Sequence, residues 1–204
     1  IDFLSSVGIN FFGSDPVSAG FGLFNAGGII FMIIGIGLSK MLADKYGKRN
    51  VFGVFLFIST LFILVFYVLS PDSINLIFGA QIFHGFFYGI TIPLLWAMIA
   101  DVADYSEWKN NRRATAIIFS AMMVGLKLGL SIGGALVASI LGNYGYVPNS
   151  VGEQTESAIL GTKMLVSIFP SIPFLVAAAL LFFYIIDKKM EEKIEQDLLK
   201  KRKS

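Results

Sequence analysis

The sequence contains no cysteine, which excludes disulfides, thiolate metal sites and cysteine nucleophiles. Charge is scarce as well: Asp, Glu, Lys and Arg make up 15% of the residues, against about 25% in an ordinary soluble domain. That argues against a soluble globular domain. The one histidine, His84 in QIFHGFFYG, has no ligand-type residue close by and reads as a helix-packing group before it reads as a proton carrier. No initiator methionine or signal peptide is visible, and the opening stretch 1–12 is too short to span a bilayer. The chain is therefore expected to be part of a larger protein.

Apolar residues take the place of charge. They amount to 55% of the chain, with a mean hydropathy of +0.74. They are collected into uncharged runs, about 19–39, 51–69, 74–100, 114–141 and 164–186, each long enough to cross about 30 Å of hydrocarbon as a helix. Such runs are twice the length of a barrel strand and lack its strict alternation, so helix is the expected form. With the stretch 1–12 as the end of a first, truncated helix, the expectation is an all-α membrane protein. A six-helix transmembrane bundle would occupy 1–187, and a basic tail 188–204.

Positive charge collects in cytoplasmic loops, so the lysines and arginines predict sidedness. Four lie after the second helix (Lys40, Lys45, Lys48, Arg49), three after the fourth (Lys109, Arg112, Arg113) and seven in the tail (Lys188, Lys189, Lys193, Lys200, Lys201, Arg202, Lys203). The opposite loops carry only Asp15, Asp72, Glu153 and Glu156, with Lys163 at a helix edge. The C-terminus is thus expected to be cytoplasmic. The stretch 143–161, rich in Asn, Gly, Pro, Ser and Gln, reads as an irregular connection on the far side. In the tail, Met190, Ile194 and Leu198 recur at i, i+4, i+8, and Asp197 and Lys201 form an i,i+4 pair. A short amphipathic helix and a solvated tail both fit that pattern.

The remaining basic residue, Lys127, falls near the middle of the run 114–141, where a charged lysine costs about 2.5–3.5 kcal/mol on insertion scales. Such a residue faces a bundle interior or an aqueous cavity. Helical spacing puts Ser120 and Ser131 on its face and sets Gly125, Gly129 and Gly133 roughly opposite, two GxxxG steps suited to helix packing. Lys127 then either takes part in substrate or ion binding or neutralises a buried carboxylate to hold two helices together. No carboxylate lies at membrane depth in these residues, so its anionic partner is expected from a ligand or from another part of the protein. Thr91, Trp96, Asn25 and Asn10 are the other groups placed to meet a ligand. An aromatic ring on the apolar face of a sugar, with amides and hydroxyls to its OH groups, is one use for them. Asn25 equally suits a helix bridge, and Trp96 an interfacial anchor.

Asp101, Asp104 and Glu107 follow one another at i, i+3, i+6 where the fourth long helix leaves the membrane, with Lys109, Arg112 and Arg113 next to them. Together with Asp44, Lys48 and Arg49 of LADKYGKR they suggest a cytoplasmic gating network, whose ion pairs form in one conformation and separate in another. An ordinary solvated ion network fits the same residues. A further alternative is a prenyltransferase-type membrane enzyme holding Mg²⁺ and a diphosphate on Asp101 and Asp104, although the second acidic cluster of such a site is missing. No resident metal site is expected otherwise. Gly47 suits a tight turn between two helices, and Pro93, Pro170 and Pro173 suggest kinks.

The combination of LADKYGKR between two spans with MIADVADYSEWKNNRRATAIIFSAMMVGLKLGLSIGGALVASILGNYGYVPN resembles the glycoside-pentoside-hexuronide:cation symporters, a group within the major facilitator superfamily. The resemblance covers essentially the whole chain as the C-terminal six-helix half of such a transporter. It implies sugar transport coupled to Na⁺ or H⁺ by alternating access, in a bacterial inner membrane, with no enzymatic activity and no cofactor besides the coupling ion. That ion would be bound mainly by the absent N-terminal half. The partners it implies are the bilayer, that half and a sugar, with no nucleic acid. The lysine matching Lys127 is linked in the family to sugar and cation recognition. Met122 and Met123 precede it where melibiose permease has glutamine and threonine, and the family's sugar-binding tryptophan falls at about Ile92, so Trp96 inherits no role. A lipid-handling or sensor relative of the same fold is the remaining alternative.

Overall fold

The computed structural model describes residues 16–148 and 154–203, so the stretch 1–12 and the tip of the far-side connection lie outside the described residues. The described chain is helical throughout: α1 Pro16–Tyr46, α2 Lys48–Val68, α3 Ile74–Asn110, α4 Thr115–Asn143, α5 Glu156–Val166, α6 Ile168–Leu180, a 3₁₀ turn Leu181–Phe183, and α7 Lys188–Lys203. Five stretches are long and apolar enough to cross a membrane, the last being α5, α6 and the 3₁₀ turn taken together. Each overlaps one of the five apolar runs of the sequence.

Helix boundaries follow local chemistry. Gly47 ends α1 with φ 85°, a conformation costly for any residue with a Cβ, and its N–H donates to the Ala43 carbonyl at 2.8 Å. The chain can then reverse into α2 within a single residue. α3 runs for 37 residues, about 55 Å at 1.5 Å per residue. It therefore outruns the hydrocarbon and carries Asp101, Asp104 and Glu107 on a continuous extension, passing through Pro93 without a break. Asn111, in the left-handed region at φ 52°, ends it.

The last span departs from the sequence expectation. Helix starts at Glu156, inside the stretch read as irregular, because Thr155 caps it: its hydroxyl accepts from the Ala158 N–H at 3.2 Å. The helix then breaks at Ser167 (φ −127°, ψ −75°). Pro170 has no N–H to give the Val166 carbonyl and its ring crowds it. Around the break, buried hydroxyls bond carbonyls one turn back, Ser167 on the Lys163 carbonyl and Ser171 on the Ser167 carbonyl at 2.6 Å.

Packing centres on α1, α2, α3 and α6. Ala43, Val51, Phe52, Leu56, Ile90, Leu94 and Met98 form the main core, covered by Phe174, Ala177 and Leu181. α1 and α3 touch backbone to backbone. A methyl on Gly85 would strike the Gly28 carbonyl, one on Gly89 the Met32 carbonyl, and one on Gly35 the Phe86 carbonyl. This is the small-residue seam of the bundle. The stripe Gly125, Gly129, Gly133 has no described atom within 4 Å of where its side chains would be, so the packing expected of it is not formed with any described residue. α4 as a whole buries none of its residues.

Candidate functional site

At the end of the bundle that carries the basic loops, α7 lies against the α3 extension. Ile186, Ile194 and Leu198 are buried against Val102, Tyr105 and Trp108, so the i, i+4, i+8 pattern of the tail is a docked face. Trp108 Nε1 donates to Asp197 at 3.0 Å and Lys201 donates to Asn111 at 2.6 Å. Both members of the anticipated i,i+4 pair thus reach across to the bundle.

Ion pairs close the same joint. Lys48, at the first turn of α2, donates to both carboxylate oxygens of Asp101 at 2.7 and 2.8 Å and lies 2.9 Å from Glu191 of α7. Glu107 receives Arg202 of the tail at 3.2 Å and Arg113 at 3.6 Å. Asp104 lines a polar cleft of about 370 Å³ with Lys48, Asp101, Glu191, Glu195 and Arg202. Lys48 and Asp101 lie beyond the apolar runs 51–69 and 74–100. Burial opposes the charge on Lys48, but hydrogen bonds and attraction from Asp101 and Glu191 outweigh it and hold the ammonium above its usual range. Burial raises the Asp101 carboxyl, Glu191 and Asp104 add to that, and Lys48 pulls the other way without prevailing. The two carboxylates thus account for the direction at Lys48, and burial first of all for that at Asp101.

Of the gating residues read from the sequence, Lys48, Asp101, Asp104, Glu107 and Arg113 are brought together. Asp44 joins through its backbone carbonyl, which accepts from Lys188 at 2.6 Å. Arg49 turns to the other side, donating to the carbonyls of Leu181 at 3.0 Å and Phe182 at 3.2 Å. Arg112 is exposed, its carbonyl accepting from Ser106. Glu191 and Arg202 were not anticipated as members. Their signal was present in the tail's amphipathic spacing, but which charges meet is decided by how α7 lies on α3.

The ligand-facing residues are more scattered. Lys127, Ser120 and Ser131 are all exposed on α4, and Lys127 has no hydrogen bond or ion pair among the described residues. Thr91 is buried and spends its hydroxyl on the Tyr88 carbonyl at 2.7 Å; Asn25 donates to the Phe21 carbonyl one turn back at 2.9 Å. Trp96 is 39% exposed. Asn10 lies outside the described residues. His84 meets the Ser59 hydroxyl at 2.8 Å and stacks on Tyr88, a packing role as expected, and it also borders a cavity of about 680 Å³ with Phe24, Gln81, Thr162 and Lys163.

The prenyltransferase alternative finds no support. Among the described residues no three His, Cys, Asp or Glu side chains are grouped to hold a metal ion, and Lys48 occupies both oxygens of Asp101.

Residues 6–188 match the family described as MFS/sugar transport protein. Among curated relatives, the chain is 35% identical over 158 residues to an uncharacterized 29.9 kDa protein in the crtE 3'region of Pseudescherichia vulneris, covering 77% of this chain and 57% of that one. It is 32% identical over 171 residues to the uncharacterized symporter YjmB of Bacillus subtilis (strain 168), covering 82% of this chain and 36% of that one. It is 30% identical over 176 residues to a glucuronide carrier protein homolog of Escherichia coli (strain K12), covering 84% and 38%. The chain thus spans little more than a third to just over half of these relatives.

Proposed function

The chain belongs to the MFS/sugar transport protein family, whose members are transporters and not enzymes, and from that premise we propose that it is the C-terminal six-helix half of a sugar symporter. The substrate is a glycoside, pentoside or hexuronide, moved with Na⁺ or H⁺ by alternating access in a bacterial inner membrane, with the C-terminus cytoplasmic. The match across residues 6–188 carries this reading. The basic loops, all at one end, support the orientation.

In this mechanism two bundles rock about a site near the bilayer midplane. α4 buries none of its residues, which supports a role for Lys127, Ser120 and Ser131 in the pathway between the two bundles and for Gly125, Gly129 and Gly133 at the seam. A lysine ammonium without a partner is suited to a hydroxyl-rich or anionic ligand and to carboxylates supplied by the other half. The Lys48–Asp101–Glu191 joint stiffens the cytoplasmic end of this bundle, so that α3, α2 and the tail move together. Lys127→Ala in the intact transporter is expected to abolish sugar accumulation driven by an ion gradient while the protein still inserts in the membrane. Normal uptake by that variant would remove Lys127 from the mechanism.

A further inference from the structure

Residues of α2 and α6, with the 3₁₀ turn that follows α6, line an open trough of about 550 Å³. Its floor is made of small residues, Gly53, Ala178 and Ala179, and its walls of Val54, Phe57, Leu175 and Phe182. A methyl on Gly53 would come within 3.2 Å of Leu181 Cδ1 and narrow the floor. Phe182 is 81% exposed, a large ring left outside the core. Both helices belong to stretches long and apolar enough to cross a membrane, and a trough of this apolar lining suits hydrocarbon.

Its mouth is polar. Arg49 stands there at the first turn of α2, with Asn50 beside it. Nε and one terminal nitrogen donate to the carbonyls of Leu181 and Phe182 in the 3₁₀ turn after α6, which holds the guanidinium at the trough. A guanidinium has five N–H donors, and these two bonds leave others for an anion. Among the described residues no carboxylate pairs with Arg49, unlike Lys48 one residue before it.

We propose that this trough is a binding site for an anionic phospholipid of the leaflet on the side of the basic loops. The phosphate meets Arg49 and Asn50 at headgroup height, and one acyl chain lies along Val54, Phe57 and Leu175. Charge complementarity selects this occupant. The trough is apolar where hydrocarbon would lie, and its cation, Arg49, is where a headgroup would lie. The inference rests on the reading that these helices span a bilayer, but not on what the protein transports.

Native mass spectrometry of the protein released from nanodiscs of phosphatidylcholine and phosphatidylglycerol tests it. The expected result is one retained phosphatidylglycerol in preference to phosphatidylcholine. Arg49→Ala should lower that retention about fivefold, the usual contribution of one cation near an anionic surface. Ala178→Phe fills the trough while keeping the charge, and should lower it similarly; this variant decides the matter if Arg49→Ala fails to fold. Equal retention of the two lipids, an unchanged preference in Ala178→Phe, or a lipid-free dimer sealed through this face would overturn the proposal. Retention of free glycerol phosphate in place of the lipid would overturn it as well.

Discussion

Lys48 and Lys127 carry the same charge, and their surroundings give them opposite tasks. Lys48 is enclosed between Asp101 and Glu191, and its ammonium is held above its ordinary range. Its share of the tail contact is therefore complete below pH 10.5 and lost as the pH rises through the raised value. Asp101 titrates above the usual carboxylate range, so the docked form takes up that proton more readily, and mild acid does not by itself open the joint. In a Trp96→Phe background, the emission of Trp108 should move to the red above pH 10.5 and stay put on acidification to the carboxylate range; a red shift in mild acid alone would contradict this account. Lys48→Ala leaves two carboxylates facing each other without a cation. It should weaken tail docking by about 1–3 kcal/mol and give the red shift already at neutral pH. Lys127 could be singled out from sequence, because the cost of a charge at midspan needs no coordinates. Asp101 was anticipated in the same network as Lys48, but Glu191 could not be, since it is far along the chain and meets Lys48 only through the lie of α7 on α3.

Among the elements, α1 and α3 form the closest pair, and glycine makes that approach possible. The carbonyls of Gly28 and Met32 stand where side chains of Gly85 and Gly89 would be, and backbone cannot give way as a side chain can. Gly85→Ala and Gly89→Ala should each cost about 1–3 kcal/mol, seen as a lower midpoint when the fraction of monodisperse protein is followed against temperature. Gly79→Ala, with nothing within 4 Å of the new methyl, should leave the midpoint in place. A fall of equal size at Gly79 would mean that loss of glycine, and not collision, sets the cost. The spacing HGFFYG already contained this seam, yet the stripe Gly125, Gly129, Gly133 looked more regular as a motif. A GxxxG pattern says that a helix permits close approach; it does not say which neighbour arrives. The break at Ser167 is similar. Pro170 announced a disturbance, but its place depended on which carbonyl the proline left without a donor.

At the scale of the whole molecule, a bundle built on α1, α2, α3 and α6 leaves α4 with no buried residue and Lys127 without a described partner. Reconstituted alone in liposomes, the 204-residue chain is expected to show no sugar-dependent cation uptake, because one face of the proposed pathway would be missing. Uptake by this chain alone would overturn the reading of it as half a transporter. The sequence by itself determined the helical class, the five long spans, the end at which positive charge gathers and the lone lysine within a span. All of these follow from the cost of placing charge or unpaired backbone in hydrocarbon, which is paid residue by residue and is read from composition and order. Only the tertiary structure decided that the basic tail docks on α3, that Lys48 is held by Asp101 and Glu191 while Arg49 is not, and that the tight glycine seam joins α1 to α3. Those outcomes depend on which surfaces meet, and many helix faces in this chain are apolar enough to meet more than one partner.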